Sequence, residues 1–189
     1  MATDYVDPNF TNTAQWAGST GTPHHLQVDD AVRQPGNPGT ATYVRYQDGD
    51  ENDDEDYSFS TLTVASVSSV RVWFYIATRT ITEDCWIRIY MGGWTGQLRL
   101  DFTQTGVKWY SLLFSGTWTQ ADLNGLRVEY AAPPSIGKTN NGTLYCTYCE
   151  ITYVAVVLGY GHDYMGVPAA NIGSVMGVPT ANIASINGV

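Results

Sequence analysis

Six times between residues 70 and 158 the chain passes through a short run of β-branched and aromatic residues and is then halted by a turn-forming cluster. No stretch of useful length carries the i, i+3, i+4 apolar spacing of a helix. Short strands at this rhythm are the signature of an all-β sandwich or barrel. Residues 70–78 form the clearest strand. In 85–91, Ile87, Ile89 and Met91 alternate with Arg88 and Tyr90, and the run stops at Gly92-Gly93. In 97–102, Leu98, Leu100 and Phe102 share one face. Residues 108–114 and 126–130 follow, and 143–158 is almost solidly β-forming. One segment departs from the pattern. Residues 117–125 read as a helical turn that Thr119 caps and Gly125 closes. The first forty residues read as loop, with a firm turn at 35–39, before 43–46 enters the sheet. The expected fold is an all-β, antiparallel, jelly-roll-like sandwich over residues 1–160, followed by an extended repeat tail over 161–189.

Charge narrows the functional classes. Charged residues are only 14% of the chain and the formal net charge is −9. Nine Lys and Arg are scattered singly, so no basic patch is available for a nucleic-acid backbone. No apolar run reaches the roughly 18 residues of a membrane helix, and the first residues lack the basic and apolar regions of a signal peptide. Neither nucleic acid nor membrane is an expected partner. Cys85, Cys146 and Cys149 are an odd number, which argues against a disulfide framework. Cys146 and Cys149 have metal-site spacing, yet on a strand residues three apart face opposite sides. Buried thiols acting as small hydrophobes are expected.

From Met165 the texture changes. Met165-Gly166-Val167-Pro168-Ala169-Ala170-Asn171-Ile172-Gly173-Ser174-Val175 is followed by Met176-Gly177-Val178-Pro179-Thr180-Ala181-Asn182-Ile183-Ala184-Ser185-Ile186, identical at eight of eleven positions. A proline in every unit rules against a helical eleven-residue repeat. Val167, Ile172, Val175, Val178, Ile183, Ile186 and Val189 recur as apolar pegs. A unit this small cannot bury its own pegs, so the tail is expected to dock on its own sandwich, on symmetry-related copies or on another protein.

Three groups of residues are candidate sites. Asp48 to Asp56 hold seven of the eighteen carboxylates, and the oxygens of Asp48, Asp50, Asn52 and Asp54 are spaced to ligate Ca²⁺ weakly. An EF-hand is excluded, because its sixth position would be Asp53 and its twelfth Phe59. The run otherwise reads as a solvated acidic loop. No other cofactor is expected. His24, His25 and His162 belong to no recognisable catalytic motif, and no nucleophile elbow, zinc-protease helix or phosphate loop is present, so the chain reads as non-enzymatic. Six Trp, thirteen Tyr and five Phe are available for stacking. Trp94 and Trp118, in loop-like surroundings, are the candidate contacts with glycan or protein. Trp73, Trp86 and Trp109, within strands, are expected in the core.

Several stretches together resemble the small β-sandwich virion proteins of tailed phages. They are Gln15-Trp16-Ala17-Gly18-Ser19-Thr20-Gly21, His25-Leu26-Gln27-Val28-Asp29-Asp30, Thr42-Tyr43-Val44, Val67-Ser68-Ser69-Val70-Arg71-Val72, residues 117–128 and the final strand at 145–156. The resemblance covers about residues 10 to 158, and the Gly-Val-Pro repeat also looks like the C-terminal tails of some phage structural proteins. It implies a jelly-roll-like, non-catalytic structural protein on the particle exterior, as capsid decoration or as a small fibre or tail component. Such a protein is assembled in the host cytoplasm, contacts copies of itself, with a trimer expected because capsid and fibre sites commonly have that symmetry, as well as other virion proteins, and can meet a host-surface glycan. The alternative from the aromatic content is a carbohydrate-binding module.

Overall fold

The computed structural model describes residues 1–18, 20–29, 33–34, 36, 38–46, 54–78, 84–101, 106–131, 142–156, 174–175 and 178–179. Two compact units divide the chain, Met1–Val154 and Ala155–Val189. In the first, the described residues form eleven strands in chain order: β1 (Ala2–Val6), β2 (Pro8–Ala14), β3 (Ala17–Gly18), β4 (Val44–Tyr46), β5 (Asp54–Phe59), β6 (Val64–Thr78), β7 (Asp84–Tyr90), β8 (Leu98–Asp101), β9 (Gly106–Trp118), β10 (Arg127–Ala131) and β11 (Gly142–Ala155). A single-turn helix, α1 (Gln120–Asn124), joins β9 to β10, and a 3₁₀ turn spans His24–Gln27. No helix among the described residues is long and apolar enough to cross a membrane.

One sheet has the order β3-β4-β11-β6-β9, with β1 also on β11; the other has the order β2-β5-β10-β7-β8. All the described pairings are antiparallel. Counted from β4 as first to β11 as eighth, the two sheets read 1-8-3-6 and 2-7-4-5. That is the jelly-roll wiring, two Greek keys folded over one another. The core between the sheets follows from alternation. Val70, Val72, Phe74 and Ile76 on β6 turn inward, as do Cys85, Ile87 and Ile89 on β7. At the centre the Tyr130 ring lies edge-on to Tyr57 at 6.0 Å and to Phe74 at 6.1 Å. Its hydroxyl shares a hydrogen bond with Thr147 Oγ1, which also reaches the Trp73 carbonyl at 2.9 Å. One polar contact thus ties the two sheets across an apolar interior, and both partners are satisfied.

Three expectations are corrected. The first forty residues are not all loop: β1 pairs with β11 and β2 with β5. These are polar edge strands held by partners far along the chain, so their own composition conceals them. The end of the acidic run is not solvated loop, since Asp54, Glu55 and Asp56 begin β5 and the last two are buried. Trp73 and Trp109 are only half-buried and belong to a second cluster, with Tyr75, Cys146 and Tyr148. Arg33, Gln34 and Gly36 lie against that cluster. Trp109 Nε1 donates to the Gly36 carbonyl at 2.6 Å, the Gln34 amide donates to the Tyr148 hydroxyl at 3.2 Å, and Arg33 sits 4.6 Å above the Tyr148 ring while pairing with Asp7. Cys146 lies in this cluster and Cys149 in the inter-sheet core, on opposite sides as their spacing requires. All three cysteines are buried.

In the second unit, Ser174–Val175 (β12) pairs with Val178–Pro179 (β13), so that Val175 faces Val178 across the junction between the two repeats. Val167, Ile172, Ile183, Ile186 and Val189 lie outside the described residues.

Candidate functional site

The turn between β7 and β8, residues 91–97, determines where Trp94 goes. The Met91 amide donates to the Gly93 carbonyl at 3.0 Å and the Thr95 amide to the Ile89 carbonyl at 2.9 Å. The Ile89 amide in turn donates to Thr95 Oγ1 at 3.1 Å. Trp94 is thereby bridged to Tyr90, and the two rings meet edge-on at 5.5 Å. Gly92 adopts φ 71°, and a Cβ there would collide with the Asp122 carboxylate of α1. Both the left-handed backbone and the close approach require glycine.

Alternation sends Arg88 and Tyr90 of β7, Arg127 and Glu129 of β10, and Asp56 and Ser58 of β5 to the outer face of the five-stranded sheet. Register places Arg127 opposite both Tyr90 and Ser58, and Glu129 opposite both Arg88 and Asp56. The Arg88 guanidinium lies 4.4 Å from the Trp94 ring centroid and that of Arg127 lies 5.2 Å from it. Each such cation–π contact contributes about 0.5–1 kcal/mol at an exposed site. The cations are themselves held. Arg88 Nε stands 2.6 Å from Glu129 Oε1 and its Nη2 donates to Oε2 at 2.8 Å, which raises the Arg88 pKa further above its ordinary value. Arg127 pairs with Asp56 through both Nε and Nη2. Asn12 Nδ2 donates to Ser58 Oγ at 3.0 Å and to Asp56 Oδ1 at 3.4 Å. Asp56 and Glu129 are nearly buried while the Trp94 side of the face is open, with the indole residue 37% exposed. Trp86, expected in the core, is instead half-buried and extends the same outward row of β7, because it alternates with the inward Cys85 and Ile87.

This arrangement offers an aromatic platform with fixed donors and acceptors around it. It suits a ligand with one apolar ring face and a rim of hydroxyls. Both carboxylates are engaged by arginines, so neither is set up as a general acid or base.

The other expected site residues are placed elsewhere. Trp118 is not in a loop; it ends β9 on the other sheet, half-buried against the core, with its ring over Gly116. The two candidate tryptophans therefore stand on different sheets. Asp48, Asp50 and Asn52 lie outside the described residues. Asp54 starts β5, where its amide donates to Gln15 Oε1 at 2.7 Å. Among the described residues no three His, Cys, Asp or Glu side chains converge as a metal cage. His24 is bound to an acid that the sequence reading missed: its Nδ1 lies 3.0 Å from Glu55 Oε1, which also accepts the Trp16 amide at 2.7 Å, while Tyr57 donates to Oε2 at 3.1 Å. The outward arginines escaped notice too. The alternation of 85–91 exposes Arg88, but only the pairing of β7 with β10 brings Arg127 beside it.

No family model matches the chain, and no curated protein matches it. Among solved structures the chain is similar to a family 35 carbohydrate binding module from Clostridium thermocellum, at 13% identity and TM-score 0.43, covering 82% of this chain and 100% of that one. It is similar to the CBM36-1 domain of a multidomain xylanase from the hindgut metagenome of Trinervitermes trinervoides, at 10% identity and TM-score 0.40, with the same coverages. A carbohydrate-binding module CBM36 in complex with calcium and xylotriose gives 12% identity and TM-score 0.33, covering 80% of this chain and 100% of that one. All three TM-scores lie below 0.5, and the sandwich stands on this chain's own strand pairing.

Proposed function

We propose that the sandwich is a non-catalytic glycan-binding module whose site is the outer face of the five-stranded sheet around Trp94. The observation that carries this reading is the indole itself, partly exposed and fixed by a glycine turn and two guanidiniums. A sugar ring presents C–H bonds on one face and hydroxyls at its edge. The indole takes the first, and Arg88, Arg127, Asn12 and Ser58 are placed to meet the second. Because the charged groups are already paired, the face is pre-organised and little side-chain freedom is lost on binding. From Trp86 to Tyr90 the row on β7 spans about 14 Å at the usual strand rise, room for a short oligosaccharide.

The test is a glycan array followed by titration calorimetry on the best ligand. Trp94→Ala is expected to weaken binding at least about tenfold, the cost of one stacking contact of about 1.4 kcal/mol, with an unchanged circular dichroism spectrum. Binding that survives in Trp94→Ala would refute this location of the site.

A second reading rests on a different observation, the tandem repeat of the tail. In it the chain is an exterior virion component, a decoration or small fibre protein, assembled through the uncharged repeat with copies of itself or other virion proteins. The two readings are compatible, since an exterior virion protein that holds a host-surface glycan would use both parts.

A further inference from the structure

Two directions lead away from Trp94 over the outer face of the five-stranded sheet. Along β7 the outward residues are Tyr90, Arg88 and Trp86, and the row ends on a half-buried indole. Across the strands, register sets Tyr90 of β7 opposite Arg127 of β10, Arg127 opposite Ser58 of β5, and Ser58 opposite Phe10 of β2. Directly opposed residues share a face, so Phe10 belongs to the same row as Tyr90. Trp94 prolongs that row at its other end, because it bridges Tyr90 on the side away from β10. Four strand spacings separate Trp94 from Phe10, about 19 Å. The bulge between Thr11 and Thr13 adds Asn12 to this face, where its Nδ2 donates to Ser58 Oγ at 3.0 Å. Phe10 is 58% exposed, and its ring is stacked on His25, 6.4 Å between centroids and 26° between planes. His25 is itself held by Thr11, whose Oγ1 accepts the His25 amide at 2.8 Å and lies 3.1 Å from its Nδ1. The Phe10 ring is thus backed by a fixed neighbour and otherwise exposed, which is what a stacking platform requires.

We propose that Phe10 is the distal platform of an extended site, and that a linear oligosaccharide lies across the strands from Trp94 to Phe10. This deepens the glycan-binding reading of the same face and rests on it. The crosswise direction is selected by what stands between the two rings. Arg127, Ser58 and Asn12 offer guanidinium, hydroxyl and amide groups in succession, the fixed polar partners that a run of sugar hydroxyls needs. The lengthwise row offers Arg88 alone between Tyr90 and Trp86, and its terminal ring is half-buried where Phe10 is exposed. The span then sets the size of the ligand. A disaccharide seated on Trp94 ends short of β2, whereas a longer, extended chain brings a further sugar ring onto Phe10. Affinity therefore grows with chain length until β2 is reached.

Titration calorimetry of the full chain with the disaccharides and hexasaccharides of β-1,4-linked xylose, glucose and mannose tests this. In at least one series the parent should bind the hexasaccharide about tenfold tighter than the disaccharide, the worth of one further stacking contact. Phe10→Ala should bring that ratio close to one, and Phe10→Tyr, which keeps a ring, should restore it. Trp86→Ala should preserve the ratio, and Trp94→Ala should weaken both lengths. Equal affinity of the parent for both lengths, or a ratio that survives Phe10→Ala, would overturn the crosswise site while Trp94-dependent binding keeps the glycan-binding reading. A ratio lost in Trp86→Ala and kept in Phe10→Ala would lay the chain along β7 and overturn it likewise. Absence of binding in every series, or binding indifferent to Trp94→Ala, would overturn both.

Discussion

Glu55 brings a carboxylate to the interior side of β5 with no exposed surface, where it meets the Trp16 amide, His24 and the Tyr57 hydroxyl. Burial raises its pKa from the ordinary 4.5, and the His24 contact and the hydrogen bonds only partly offset the rise. The sign of the consequence is fixed by proton linkage. The folded chain holds the proton to a higher pH than the unfolded chain, so this group lowers stability as pH rises from about 4.5 through its raised folded value. Glu55→Gln keeps an acceptor for the Trp16 amide and removes the titration. Urea denaturation of both proteins at several pH values should show the variant gaining stability relative to the parent as pH rises through that window. A relative stability that stays flat would mean that Glu55 titrates alike in both states. None of this was legible in the sequence. Glu55 looks there like one acid among seven, and only the entry of the chain into β5 at Asp54 turns it inward.

At the scale of the element, α1 shows what local sequence can specify. Thr119 accepts the Asp122 amide, and Asp122 accepts the Thr119 amide and hydroxyl at 2.8 Å each, a reciprocal capping box. These bonds hold the Asp122 pKa below its ordinary value, so its contribution is present above about pH 4 and is lost on acidification, opposite in sense to Glu55. The turn matters beyond its length. Leu123 is in the core, Gln120 accepts the Val64 amide at 2.6 Å and donates to the Leu62 carbonyl at 2.8 Å, and Asp122 abuts the Gly92 turn below Trp94. Thr119→Ala should cost about 1 kcal/mol in equilibrium denaturation. No loss would show that tertiary contacts alone hold the turn. Every signal here lies within seven residues, which is why the capped turn was readable. Strands β6 to β11 were readable for the same reason, because alternation is local. β1 was not: Tyr5 faces Glu150 across the sheet, and nothing near Tyr5 announces that partner. The Trp94 site divides along the same line, with the tryptophan and its glycine turn visible locally and the arginines joined to it only by strand register.

For the whole molecule, the proposed glycan site is the outer face of the five-stranded sheet and the proposed joint to other chains is the repeat tail. The tail joint is argued from what a small repeat cannot do alone. Its one described strand pair, Ser174–Val175 with Val178–Pro179, joins the end of one repeat to the start of the next. A two-residue pairing is far below the three or more strands needed for independent stability in water, and seven apolar pegs on an uncharged repeat need a surface beyond it. Removal of residues 165–189 should therefore leave the sandwich folded, with its thermal midpoint within about 2 °C of the parent, a shift of at most about 1 kcal/mol for a domain of this size. The same deletion should keep Trp94-dependent binding and abolish assembly of the chain, or its incorporation into a particle. Sedimentation velocity of the parent and truncated chains, at matched concentration, reads this directly. Identical distributions together with unchanged incorporation would show that the tail joins nothing.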